Sequence, residues 1–194
     1  MPHKTTTEAQ VIQETESWLK DIVLRHNFCP FAHKPFKQET IHYIVSQEND
    51  AETITQALMQ ALMQALLQLR DSDADTIETT LFITPNGFTN FNDYNEFLNV
   101  VDLLIEQLQL QGIIQVASFH PDYQFADLSC DDVRNYTNRS LYPMFHLILE
   151  ESVEHARATH PDVHAIPQTN MDLLEKQGLA ETQRQLANCR QHKP

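Results

Sequence analysis

Glycine is scarce in this chain. Only Gly87, Gly112 and Gly178 occur in 194 residues. The glycine-rich loops that cradle phosphates, G-x-G-x-x-G and G-x-x-x-x-G-K-[ST], are therefore absent, which argues against a dinucleotide-binding fold or a P-loop enzyme. Cysteine is also sparse. Cys29, Cys130 and Cys189 make an odd count with no C-x-x-C pair, so neither a disulfide framework nor a zinc knuckle is expected, and a reducing cytoplasm fits best. No apolar run reaches the roughly 18 residues of a membrane span. The first residues, Met1 to Glu8, lack the apolar stretch of a secretory signal. The glycosylation-like triplets Asn135-Tyr136-Thr137 and Asn138-Arg139-Ser140 are accordingly read as chance. Basic residues are few: 13 Lys and Arg face 27 Asp and Glu, a formal charge of −14. Such a surface repels phosphate backbones, which disfavours nucleic acid. The one basic cluster, Arg25, His26, His33, Lys34 and Lys37, reads as a helix end whose cations complement the dipole.

What is present alternates between helical and extended patterns. The length favours one domain, with an ordered core over about residues 8–178 and a helical tail over 179–194. Thr7-Glu8-Ala9-Gln10 has capping-box spacing. Val11, Ile12, Trp18, Leu19, Ile22 and Val23 then share one face of a helix, which Pro30 must end. Residues 40–45 and 79–83 read as strands rich in β-branched residues. Between them a helix capped by Asn49 or Asp50 carries a tetrad repeat of Gln, Ala and Leu, in which Met59 and Met63 are core filler rather than metal ligands. Asp71, Asp73 and Asp75 open like a calcium loop. Thr76 and Phe82 then stand where glycine and glutamate are required, so the run reads as a solvated connector. Pro85-Asn86-Gly87 is a turn signal. A third helix starts at Asn92 or Asp93 and ends near Gly112, residues 113–118 form a third strand, and Pro143 opens a further helix. Two short helices, residues 169–177 and 180–189, flank Gly178. The pattern predicts an α/β fold: a small three-stranded, mainly parallel sheet covered by helices. An α+β sandwich with antiparallel strands is the alternative.

Chemistry-bearing residues concentrate where the third strand ends. Ala117-Ser118-Phe119-His120-Pro121-Asp122-Tyr123-Gln124-Phe125-Ala126-Asp127 spills from that strand into a long loop, and such strand-end loops carry sites in open α/β sheets. In a parallel sheet, Ser46 and Thr84-Pro85-Asn86 reach the same edge. Earlier, Asn27-Phe28-Cys29-Pro30-Phe31 sets a cysteine between aromatics and proline. Later, Asn138-Arg139-Ser140-Leu141-Tyr142-Pro143 sets an arginine beside tyrosine and proline.

Together with Asp93-Tyr94-Asn95-Glu96-Phe97-Leu98 and the Ile166 to Asn170 segment, these runs resemble a bacterial family catalogued as domain of unknown function 1415. The resemblance covers roughly residues 15–178. It implies no activity. Leu141 stands where proline is expected in Asn-Arg-Ser-Pro-Tyr-Pro, which relaxes the turn and leaves Arg139 and Tyr142 in place.

The residues themselves support three functions. In the first, the chain is an enzyme acting on a small anionic metabolite. Cys29 is the nucleophile and His120 its base, oriented by Asp122, while Arg139 clamps the anion beside Asn138, Tyr123 and Tyr142. In the second, Cys29 and His120 gather iron or zinc with His146 or Asp122. In the third, the same residues shape a non-catalytic ligand pocket or partner surface. Each also has a bland role. His120 would cap the strand end, Cys29 would be a small buried hydrophobe, Arg139 would pair with Asp127, Asp131 or Asp132, and His146 would be a satisfied core histidine. His155, His160 and His164 are spaced loosely like metal ligands, but Pro161 interrupts them.

Overall fold

The computed structural model describes residues 6–49, 53–71, 77–159 and 162–190. The Thr7 hydroxyl accepts from the Gln10 N–H at 3.3 Å, so the cap forms as its spacing requires. Helix α1 (Glu8–Trp18) runs on into a π-helical turn, Leu19–Leu24. Asn27 follows in the left-handed region at φ +54°. A 3-10 turn at Pro30–Ala32 then leads to α2 (His33–Gln38). Next come β1 (Ile41–Val45), α3 (Ile54–Asp71), β2 (Thr79–Ile83), α4 (Phe91–Gln107) and β3 (Ile114–Phe119), close to the predicted positions. Three boundaries differ: α3 begins at Ile54, beyond the expected cap at Asn49, and α4 differs at both ends. The α4 cap is Asn90, whose side chain accepts from the Asn92 N–H at 2.7 Å. The left-handed residue after α4 is Gln109, while Gly112 serves the following turn at φ +72°. Asp50, Asp73 and Asp75 lie outside the described residues, as does His160. Asp71 itself pairs with Arg70 at 2.7 Å.

The main correction concerns residues 144–149. The expected helix after Pro143 is a strand, β4 (Met144–Leu149), and a helix, α5 (Glu150–Thr159), begins only after it. A short continuous apolar run does not distinguish a buried strand from a buried helix by periodicity. A strand covered on both faces reads as unbroken hydrophobicity. Pro143 ends the preceding loop rather than starting a helix, and its carbonyl accepts from the Thr84 N–H at 2.9 Å.

The sheet is therefore four-stranded and mixed, in the order β1-β2-β4-β3, not three-stranded and mainly parallel. β1 pairs parallel with β2, while β4 is antiparallel to both β2 and β3. Because β4 inserts in reverse between them, β1, β2 and β3 all run the same way. Their C-terminal ends, at Ser46, Thr84 and His120, reach one edge as expected, although among the described residues β1 and β2 are the only parallel pair.

Alternation along the central strands splits the core in two. Phe82, Phe145 and Leu147 face the helices α3 and α4, packing with Leu58, Leu62, Leu66, Phe97 and Val101. Leu81, Ile83 and Met144 face the other way, against Trp18, Leu19 and Ile22. That second layer includes α6 (Ile166–Gln177) and α7 (Leu179–Asn188), divided at Gly178 with φ +82°. Of the segment read as a tail, the described residues 179–190 pack on this layer: Thr182 and Cys189 are buried, and Arg190 donates to the Leu141 carbonyl at 2.6 Å.

Candidate functional site

His120 sits one residue past β3 and is 1% exposed. The Asp122 N–H lies 2.9 Å from its Nδ1. An amide N–H only donates, so Nδ1 is the acceptor and the ring proton resides on Nε2. That proton faces the Phe88 carbonyl at 2.8 Å, which only accepts. The two contacts thus fix a neutral Nε2–H tautomer with both nitrogens engaged. Burial lowers the His120 pKa from its ordinary value, opposed by the hydrogen bond to Phe88. The geometry is that of a clasp between the end of β3 and the loop joining β2 to α4.

That loop is pinned twice. Phe88 adopts φ +52°, a strained conformation for a residue with a Cβ. Its ring centroid lies 4.7 Å from that of Phe97 and 5.9 Å from that of Phe145, while its carbonyl is held by His120. Two residues later the chain enters α4 at the correct height for Tyr94 to reach the sheet. The fully buried Tyr94 hydroxyl accepts from the Phe119 N–H at 3.1 Å and donates to the Met144 carbonyl at 2.7 Å. Phe119 and Met144 are partners at the last rung of β3 and β4, so a phenol bridges the strands where the ladder opens.

The loop after β3 is organised from below. Asn138 donates to the Ser118 carbonyl at 3.2 Å, and its own carbonyl accepts from the His120 N–H at 3.3 Å. The Asn135 side chain accepts from the Phe125 N–H and donates to the Ser129 carbonyl. Arg139 donates through Nε to the Tyr123 carbonyl at 3.1 Å and through Nη2 to the Cys130 carbonyl at 2.8 Å. Its guanidinium lies 4.6 Å from the centroid of the Tyr136 ring. Both hydrogen-bond acceptors are neutral, and among the described residues no carboxylate pairs with Arg139. The nearby Asp132 pairs instead with Arg134, whose hydrogen bonds hold its carboxyl down at about 2.

These two loops bound an open cleft of about 370 Å³, lined by Asn90, Phe91, Asn92, Asp122, Gln124, Cys130, Asp131 and Arg139. A second, one-water hollow of about 10 Å³ is also lined by Arg139, with Phe28, His26 and Gln185. Of the residues singled out from sequence, Asp122 and Arg139 line the cleft. His120, Asn138 and Tyr123 do not line it; His120 and Asn138 hold its loops, and the Tyr123 ring lies tilted against Phe91 at 5.2 Å.

The others go elsewhere. Cys29 precedes the 3-10 turn, half-buried against the second core layer, and burial pushes its thiol pKa up. It does not line the cleft, although Phe28 and Arg139 share the small hollow. Tyr142 is buried, and its hydroxyl donates to Glu14 at 2.5 Å with the Arg190 guanidinium 5.4 Å from its ring centroid. His146 lies on β4 and bonds Thr79 Oγ1 at 2.7 Å; that hydroxyl's proton goes to the Leu147 carbonyl, so His146 donates from Nε2. Burial holds its pKa at about 4. Among the described residues, no group of three or more His, Cys, Asp or Glu side chains could hold a metal ion. No helix among them is long and apolar enough to cross a membrane.

The sequence reading missed Glu14, Tyr94 and Asn90. Glu14 and Tyr94 act on partners far along the chain, which periodicity cannot reveal. Asn90 was findable, since an Asn directly before the first apolar residue of a helix is a cap signal.

The molecule is thus a mixed-sheet α/β protein with a polar cleft between the start of α4 and the loop that follows β3. A family model described as protein of unknown function DUF1415 matches residues 10–184, and the chain belongs to that family. Neither the curated proteins nor the solved structures contain a match to it. The segments that suggested the family meet in space. Asn170 donates to the Phe28 carbonyl at 2.8 Å, Tyr94 bridges Phe119 and Met144, and Asn138 holds Ser118 and His120.

Proposed function

We propose that this chain binds a small molecule carrying a carboxylate or phosphate group in the cleft between the loop before α4 and the loop after β3. The observation that carries the reading is Arg139. Its fork is oriented by two backbone carbonyls and a tyrosine ring, yet its charge has no carboxylate partner among the described residues. A guanidinium has five N–H donors. Those not spent on Tyr123 and Cys130 remain for an oxyanion, which a planar fork meets in bidentate fashion. The cleft volume falls within the range of small-ligand sites.

In this reading His120 is a positioning residue. It shapes the cleft by holding Phe88 and Asp122, and its ring has no free nitrogen to act as a base. A nucleophilic Cys29 draws little support, since burial favours the thiol over the thiolate. The binding reading is therefore preferred over catalysis by Cys29 and His120. Titration calorimetry of the full chain at low salt with a panel of small carboxylates and phosphates tests it. Binding should weaken at least tenfold in Arg139→Gln and partly in Arg139→Lys, which keeps the charge and loses the fork. A ligand held equally by all three folded proteins would contradict the proposal.

A further inference from the structure

The charges around the cleft do not suit an anion alone. One arginine faces two carboxylates, Asp122 and Asp131, and three carboxamides, Asn90, Asn92 and Gln124. Both aspartates are exposed, and neither carboxylate has a hydrogen-bond or ion-pair partner among the described residues. The Asp122 backbone is fixed by His120, so its side chain leaves a rigid point rather than a mobile tip. Arg139 is rigid for the reasons given. A purely anionic ligand on Arg139 would meet like charges from both aspartates. A ligand with a cationic group would neutralise them.

We infer that the cleft takes a dipolar ligand, of the class of free α-amino acids: its carboxylate on Arg139, its ammonium toward Asp122 and Asp131. The inference rests on the proposed anion site at Arg139 and extends it. The carboxamides supply neutral donors and acceptors for a polar side chain. Gln124 donates one N–H to the Leu128 carbonyl at 2.7 Å, and its amide oxygen is an acceptor by nature. The Phe91 ring offers an apolar wall on one side.

The test uses the full chain and matched probes. The twenty protein amino acids are screened by thermal shift, and the best binder is compared by calorimetry with its Nα-acetyl derivative, which lacks the α-ammonium charge, and its α-methyl ester, which lacks the α-carboxylate charge. Both derivatives should bind at least tenfold more weakly than the parent. In Asp122→Asn/Asp131→Asn, which keeps shape and removes charge, the parent should lose at least tenfold while the N-acetyl derivative binds equally well or better. An N-acetyl derivative that binds wild type as tightly as its parent would overturn the dipolar inference and leave the Arg139 anion site standing. An ester that binds as tightly as the parent would overturn both, whereas the absence of any amino-acid binder at millimolar concentration would overturn the dipolar inference and leave the Arg139 anion site to the carboxylate and phosphate panel.

Discussion

The Nε2–H of His120 donates to the carbonyl of Phe88 over 2.8 Å, joining the end of β3 to the loop that feeds α4. Phe88 holds a left-handed backbone, so the bond stabilises a conformation that the residue would otherwise leave. His120→Ala removes this bond and the one from the Asp122 N–H, leaves two backbone groups unpaired, and opens a cavity. A loss of about 2–4 kcal/mol is expected in urea melts. That is comparable to Leu104→Ala in the α4 core, expected at about 2–5 kcal/mol. A loss below about 0.5 kcal/mol would mean the clasp is dispensable.

Tyr94 gives a second stability prediction. Tyr94→Phe deletes the hydroxyl between Phe119 and Met144 while keeping the ring that packs on Phe145 at 5.0 Å. The Phe119 N–H and Met144 carbonyl lose their bridge, at an expected cost of about 1–3 kcal/mol. Hydrogen exchange of the Phe119 amide should accelerate ahead of amides at the centre of β3. Unchanged exchange there would show that the strands close directly without the phenol.

Tyr142 separates site from scaffold. Its hydroxyl serves the buried carboxylate of Glu14, away from the cleft. Tyr142→Phe should destabilise the fold by about 1.5–3 kcal/mol, as expected for a hydrogen bond to a charged group, and leave ligand affinity unchanged. A large affinity loss in a still-folded Tyr142→Phe would return this residue to the site.

Acid stability follows from the histidines. Burial lowers both His146 and His120, His146 to about 4. The unfolded state takes these protons as pH falls through about 6.5, the ordinary imidazole value, whereas folded His146 resists until about 4. Protons therefore favour unfolding in that window, and stability should fall from pH 6.5 toward pH 4. His146→Gln should flatten part of the slope in urea melts. A slope identical to wild type would assign the effect to other groups.

The thiols should rank by exposure. Cys130 is exposed and lines the cleft; Cys29 is half-buried with a raised pKa, and Cys189 is buried with its thiol pushed up to about 11. One thiol per native chain should react rapidly with a disulfide reagent, and mass spectrometry should place it at Cys130. A bound ligand should slow it. Rapid labelling at Cys29 would reopen its role as a nucleophile.

The elements legible in the sequence were those with local causes. Thr7 capped α1, Thr79–Ile83 formed a strand, and Gly178 split the last helices because each signal acts within a few residues. β4 was misread because Met144 to Leu149 carries no periodicity, and its strand character comes from lying between β2 and β3. The strand-end location of the cleft was legible, since β1, β2 and β3 do share a direction. The role of His120 was not, because its tautomer is set by Phe88, which lies 32 residues away in sequence. Pairing Tyr142 with Glu14 spans 128 residues, beyond any local signal.

In the proposed site His120 is a fixed neutral clasp, and Arg139 does the binding in the cleft it supports. Imidazole nitrogen chemical shifts of His120, followed by NMR between pH 8 and pH 5, test it most directly. The expected result is one Nε2–H tautomer with no titration near 6.5, unchanged when ligand saturates the cleft. A His120 that titrates freely near that value, or carries its proton on Nδ1, would contradict the account.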